Sequence, residues 1–310
     1  MGLTRPTASA LRRPAPGGLP AAAAETPARA LAGARPRAGS RQCGRPPPRW
    51  LALGRAAPPR ARLALGAAGF LAALAAYTFF STRDGVNAVI VPTLASIGRA
   101  AADALVAEEF WRDVGYSFLR VTSGFAAAAL LAVPLGVVAG AFRSVAALVE
   151  PPTDFLRYVP VPALIPLVMI VAGIGEGAKV LLVFLGTFFQ LLLMTADEVR
   201  RVPVHLVQIS QSLGATRREV VGRVLLPAAL PGIWSALRMC NGWAWSYVVV
   251  AELVAATEGL GFRILRFYRF IQTPSIYAYL LVLGLLGLGL DWVFRATYRR
   301  LFRWAPGGAA

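Results

Sequence analysis

An all-α polytopic membrane protein is the fold class this sequence predicts, and three features predict it. The chain is 57% hydrophobic and only 15% charged, with a mean hydropathy of +0.59; a soluble domain of 310 residues covers its core with more charge than this. The charges also cluster, leaving long uncharged runs between them. Six such runs have roughly the 17–25 residues a helix needs to cross a hydrocarbon core of about 30 Å. Helices are the form expected, because lipid leaves no partner for an unpaired backbone amide.

The elements follow in order. Residues 1–60 are rich in Ala, Arg, Pro and Gly without periodicity, and read as a disordered basic tail that cannot bury enough apolar surface to fold. Residues 61–304 form the membrane domain, and 305–310 a short C-terminal tail. The first span is Leu63–Phe80, bounded by Arg62 and Arg83; the second is Val121–Phe142, bounded by Arg120 and Arg143. Between them Ser96–Glu109 has helical spacing and reads as a helix along the membrane surface. The third span, Tyr158–Gly175, is made irregular by Pro160, Pro162 and Pro166. Val180–Ala196 is the fourth, Gly232–Val254 the fifth and Ile276–Phe294 the sixth. No internal repeat is visible.

Arginines set the orientation. The tail, the loop with Arg143 and Arg157, the loop from Arg200 to Arg223, and the C-terminal Arg295, Arg299, Arg300 and Arg303 all fall on one side. Both termini are therefore expected in the cytoplasm of a multi-pass plasma-membrane protein. The net charge of +17 is spent in this way, in a tail and in loops, rather than on a basic folded face with stacking aromatics, which excludes a nucleic-acid partner. Cys43 and Cys240 form neither a disulfide framework nor a metal-ligand spacing. His205 is the one histidine and has no carboxylate cluster beside it, so neither a metal site nor a catalytic set is expected. Lys179 is the one lysine and follows Ala178, so no phosphate-binding loop is present and no cofactor is expected on this chain.

The most informative segment is the loop after span four, residues 203–230. Leu206, Ile209 and Leu213 fall on one face of a short helix. Gly214 permits a turn that other residues resist, and Thr216-Arg217-Arg218-Glu219 is a capping box that starts a second short helix. The second helix is expected to end at Pro227, with Pro231 at the entry to span five. Two short bent helices at the cytosolic surface are either a handle for another polypeptide or an amphipathic surface element with no partner.

The run Ser212-Leu-Gly-Ala followed by Leu226-Pro-Ala-Ala-Leu-Pro231 resembles the cytoplasmic loop of binding-protein-dependent ABC importer permeases. Four further pieces resemble the nitrate, taurine and alkanesulfonate group of that family: Pro160-Val-Pro-Ala-Leu-Ile-Pro166, Gly173-Ile-Gly-Glu176, Leu237-Arg238 with Val250-Ala-Glu-Leu253, and Glu258-Gly-Leu-Gly261. The likeness covers roughly residues 85–304. It departs from the family where Gln208-Ile209-Ser210 replaces Glu-Ala-Ala, which substitutes an amide for a charge-assisted contact. The resemblance implies a type I permease that translocates a small solute, such as nitrate, taurine or a sulfonate, by alternating access. It also implies a second permease copy, two ATP-binding subunits that carry ATP and Mg, and an extracytoplasmic solute-binding protein. The coupling residues it points to are Gln208, Ser212, Leu213, Gly214, Ala215, Thr216, Arg217, Glu219 and Pro227. A stand-alone secondary carrier is the other class to weigh; it would need coupling-ion sites and repeat symmetry.

Polar groups in the spans complete the reading. Arg238 and Glu252 lie about 21 Å apart along span five at 1.5 Å per residue, so they cannot pair. Each either snorkels to an interface or has a role, Glu252 at an outer gate and Arg238 tying span five to the coupling loop. Asn241 and Trp245 are candidates for lining a passage, with helix packing as the alternative. Asp291 and Arg295 read as a helical ion pair. Arg263, Arg266 and Arg269 form a basic stripe outside the membrane that is either a solvated or lipid-phosphate-contacting face, or a docking surface for an acidic patch on the binding protein or an electrostatic lure for anions.

Overall fold

The computed structural model describes residues 58–305, apart from positions 84, 86 and 88. The reading of residues 1–57, Cys43 included, and of 306–310 therefore lies outside the described residues. Those described are helical, with no strand among them. The helices are α1 Pro59–Ser81, α2 Leu94–Val106, α3 Glu108–Ala141, α4 Arg143–Arg157, α5 Val161–Ala172, α6 Glu176–Arg200, α7 Val204–Ser212, α8 Arg217–Glu219, α9 Leu226–Ala255, α10 Leu260–Arg269 and α11 Thr273–Leu301. Among them five stretches are long and apolar enough to cross a membrane, or six if α4 and α5 count as one broken span.

The third span is where the expectation and the fold differ. Its helical core, α5, has 12 residues, about 18 Å, and meets α4 at a bend of 103°. The cause lies in the chain: Pro160 caps α5 and Pro162 falls in its first turn, where a missing amide costs nothing. The turn therefore forms where an uninterrupted helix would have run. A helix expected at Ser96–Glu109 is present as α2, Leu94–Val106, started by the Thr93 hydroxyl, which accepts from the Ser96 amide.

The frame is set by α3 against α6. With 34 residues, about 51 Å, α3 is far longer than a bilayer core, so one end of it stands clear of the apolar run. Its buried face carries Gly124, Ala128, Ala132 and Gly136 at every fourth position, with Gly140 next in register. This is the small-residue pattern that lets two backbones approach. The approach is close enough to exclude side chains. A Cβ on Gly124 would lie 2.7 Å from Val183 Cβ, one on Gly136 2.6 Å from the Leu192 carbonyl oxygen, and one on Gly140 2.7 Å from that of Ala196. In turn α6 packs on α9, where Leu191, Leu192, Ala236 and Cys240 share one buried cluster, and Gly186 provides the notch for the Tyr247 ring.

Gly136→Leu therefore separates α3 from α6. We expect a loss of roughly 1–3 kcal/mol, the usual cost of overpacking, read as a lower midpoint of heat denaturation in detergent. Gly284→Ala on α11, with nothing within 4 Å of the added carbon, should leave that midpoint unchanged.

Candidate functional site

Two structured regions stand at opposite ends of α9, about 39 Å apart along its axis from Leu226 to Glu252. The first is the loop between α6 and α9. The helix α7 closes in a Schellman turn: the Ala215 amide donates to the Ser210 carbonyl at 3.0 Å and the Gly214 amide to that of Gln211 at 2.9 Å. Gly214 has φ +85°, a value open to glycine and strained for side-chain-bearing residues. The capping box then forms in full. Thr216 Oγ1 accepts from the Glu219 amide, and Glu219 Oε2 accepts from the Thr216 amide at 3.0 Å. These bonds fix the bend without help from any neighbour.

The outer surface of this elbow is apolar and uncovered. Leu206, Ile209 and Leu213 share one face and are 37%, 56% and 83% exposed; Gln208, Ser212 and Arg217 are exposed as well. Beyond Glu219 the chain departs from expectation. It does not stop at Pro227 but passes through a π-helical stretch, Val220–Leu225, into α9, and Arg217–Val254 runs as one 38-residue helical stretch. The Leu226 amide reaches back five residues to the Val221 carbonyl. That wider turn relieves the clash and the missing donor that Pro227 imposes on an α-helix. The elbow is thus continuous with the apolar helix that follows it.

At the other end lies a buried ionic network that centres on Arg120. Its guanidinium grips Glu176 with two bonds, 2.6 and 2.8 Å, and reaches Glu252 at 2.6 Å and the Glu258 carbonyl at 2.7 Å. Glu252 also accepts from Ser117 Oγ at 2.7 Å and from the Gly261 amide at 2.8 Å. Asp113 accepts from the Gly259 amide at 2.8 Å and from Arg263 Nε at 2.6 Å, while Ser117 Oγ takes the Leu260 amide at 2.9 Å. The amide of Gly259, which caps α10, and those of the first two residues of the helix are satisfied in this way, two of the three by carboxylates at a helix N-terminus. Lys179 completes the set with a 2.7 Å bond to Glu176. Gly259, at φ +120°, leaves no room for a side chain, since a Cβ would lie 2.5 Å from Glu252 Oε1 and 2.6 Å from Arg120 Nη1.

This network reassigns several sequence candidates. Glu252 is 0% exposed, so it neither snorkels nor faces an outer opening; it is paired with Arg120 inside the subunit. Asn241 and Trp245 are buried as well, because positions 241, 245, 248 and 252 form the face of α9 turned into the subunit. Trp243, exposed, and Tyr247, half-buried, lie on another side of that helix and with Gln190 line a cleft of 380 Å³ at the kink between α4 and α5. Arg238 ties α9 to Asp291 of α11, not to the elbow, and Arg295 shares that carboxylate at 2.6 Å as expected. The basic stripe also divides. Arg263 is engaged by Asp113 and by Glu109 at 2.6 Å; burial works against its charge, but these two carboxylates hold its pKa above the ordinary arginine value. Arg266 and Arg269 are exposed. Sequence reasoning missed Asp113, Ser117 and Arg120, although their i, i+4, i+7 spacing next to an apolar run is a legible polar stripe.

The quoted pieces around Glu176, Glu252 and Glu258–Gly261, far apart in sequence, converge on one arginine. Residues 132–303 match the family described as binding-protein-dependent transport system inner membrane component. The chain belongs to that family. Similar curated proteins include a probable ABC transporter permease protein of Brucella melitensis, 35% identical over 218 residues (70% of this chain, 89% of the relative). The taurine transport system permease protein TauC of Escherichia coli is 36% identical over 194 residues (63% and 70%), and a putative aliphatic sulfonates transport permease protein of Bacillus subtilis is 31% identical over 219 (71% and 79%). The fold is similar to that of the MetNI methionine ABC transporter in its inward facing conformations, with TM-score 0.52 and 21% identity over 67% of this chain and 96% of the other. The chain is therefore a multi-pass permease subunit of an ABC importer, which works with ATP-binding subunits and a solute-binding protein, and is not a stand-alone carrier.

Arg120→Met should leave Glu252 as an uncompensated buried charge and cost about 3–5 kcal/mol. A much lower melting midpoint and membrane yield are expected, with substantial recovery in Arg120→Met/Glu252→Gln. Equal instability of the single and double variants would count against the pairing.

Proposed function

We propose that the elbow formed by α7, Gly214 and α8 is the coupling element of this permease, seated in a groove of an ATP-binding subunit at the cytosolic face. The observation that carries this reading is the uncovered apolar ridge Leu206–Ile209–Leu213 on a bend locked by its own hydrogen bonds. A monomer gains nothing by exposing it, and large exposed apolar patches mark partner surfaces. Glu219 and Thr216 hold the bend, Gln208 takes the place of the family's carboxylate, and the continuous helix past Pro227 carries displacement from the elbow into α9 as rigid-body motion.

On this reading two copies of the chain pair as a homodimer with two ATP-binding subunits, ATP and Mg reside on those subunits, and both termini face the cytoplasm. ATP binding draws the elbows together, and the passage changes its opening. The residues offered to the passage are Trp243, Tyr247 and Gln190, in place of the buried Asn241, Trp245 and Glu252. The relatives named for taurine and aliphatic sulfonates support a small oxyanion as solute. Arg266 and Arg269, exposed on α10, provide the basic contact for an acidic patch on the solute-binding protein.

Gly214→Pro cannot adopt the observed φ. We expect solute uptake by the reconstituted complex to fall to background while membrane insertion and the melting midpoint of the permease alone stay near wild type. A cysteine at Leu213 should cross-link to the ATP-binding subunit; labelling of that cysteine only from outside the cell would refute the assignment. The cognate binding protein should be stabilised against heat by taurine, an alkanesulfonate, nitrate or bicarbonate, and a response to none of these would remove the oxyanion assignment while leaving the coupling role intact.

A further inference from the structure

Between the first half of α9 and the basic C-terminal end of α11 lies a cleft of 460 Å³, lined among others by Trp234 and Arg238 from the one and Trp292, Arg295 and Arg299 from the other. Neither the elbow nor the passage uses it. Three guanidiniums meet here against one carboxylate, Asp291, which already serves both Arg238 and Arg295. Arg299 has no acidic partner among the described residues and is exposed. Each guanidinium carries five N–H donors, so donors and positive charge remain in excess after Asp291 is satisfied. The cleft is built for an anion.

The adjoining surface says what kind. On α11, Leu281, Leu285, Leu288 and Trp292 follow one another at i, i+4, i+7 and i+11, on one face of the helix. All are exposed, Leu285 at 65% and Trp292 at 64%. This apolar stripe runs along the membrane-crossing part of the helix and ends at Arg295 and Arg299. Trp234 and Trp292 stand at the junction, as aromatic side chains do where hydrocarbon gives way to headgroups. A free inorganic anion would use the arginines and leave the stripe idle. An amphiphile with a phosphate head and a hydrocarbon tail uses both.

We propose that this cleft binds an anionic phospholipid, with its phosphodiester held by Arg295 and Arg299 and an acyl chain laid along Leu281, Leu285 and Leu288. Basic pockets between membrane helices recognise such headgroups, and bidentate guanidinium–phosphate bonds are among the stronger charge-assisted contacts. The headgroup would draw Arg295 away from Asp291 and leave that carboxylate to Arg238. The clasp between α9 and α11 would then be governed by lipid composition. The site requires neither the coupling assignment nor any particular solute, so it stands or falls separately from them.

The full chain, purified in mild detergent, can be titrated with dioleoylphosphatidylglycerol or dioleoylphosphatidylcholine and its adducts counted by native mass spectrometry. At about 1 kcal/mol for each basic group, Arg299→Gln should weaken phosphatidylglycerol retention about fivefold and Arg295→Gln/Arg299→Gln roughly thirtyfold, with phosphatidylcholine unaffected. Arg266→Gln/Arg269→Gln, which removes the same charge from α10, should retain the lipid as wild type does. Arg299 is exposed, so its single variant still tests the site if the double variant is poorly folded. Unchanged retention in Arg299→Gln, an equal loss in the α10 control, or displacement of the lipid by millimolar inorganic phosphate would each overturn the proposal.

Discussion

The guanidinium of Arg120, buried at the end of an apolar run, must find negative partners or the chain cannot close around it. It finds Glu176 on α6, Glu252 on α9 and the Glu258 carbonyl in the loop before α10. Each partner comes from a different element, so one charge fixes the relative position of three segments around α3. The desolvation of an isolated charge costs several kcal/mol and is repaid only when geometry and hydrogen bonding are complete. Here they are complete: Ser117 and the Gly261 amide take the remaining lone pairs of Glu252, and Gly259 leaves the room for this to happen.

The other end of α9 is ordered by a different economy. The elbow has few neighbours, and its shape comes from local bonds: a Schellman turn at Gly214 and a reciprocal cap at Thr216 and Glu219. An element held by its own hydrogen bonds keeps its form when a partner pushes it. A π-turn at Val220–Leu225 absorbs the proline that would otherwise have cut the elbow away from α9. The result is a continuous helical path from the second limb of the elbow, beginning at Arg217, to a buried ionic anchor, which is what a rigid-body transmission between subunits requires. The packed glycines between α3 and α6 belong to the same logic, because a seam without protruding side chains moves as one piece.

Of the apolar surfaces left uncovered, two have borders that point to different occupants. The ridge on α7 is short and bordered by polar and charged side chains, as a protein groove demands. The stripe on α11 is long, lies within an apolar span and ends in arginines and tryptophans, as a lipid demands. In both cases the partner is inferred from what borders the apolar surface, not from its hydrophobicity.

The sequence by itself determined the fold class, five of the spans, the helix α2 and the elbow. These rest on local information: run length, spacing, a capping box, a glycine and the placement of arginines. The break in the third span was foreshadowed by its prolines, but a 103° turn was not, since prolines say where a helix weakens and not how far the chain then swings. Pro227 misled for a related reason, as a π-turn is a cooperative rearrangement that no single residue announces. Only the tertiary structure decided which polar residues meet. Asp113, Ser117, Arg120, Glu176 and Glu252 come from three helices whose azimuths are set by packing, and the sequence gives each helix a polar face without saying which faces are turned together. The inward burial of Asn241 and Trp245, and the exposure of Trp243, were settled in the same way, by the rotation of α9 about its own axis.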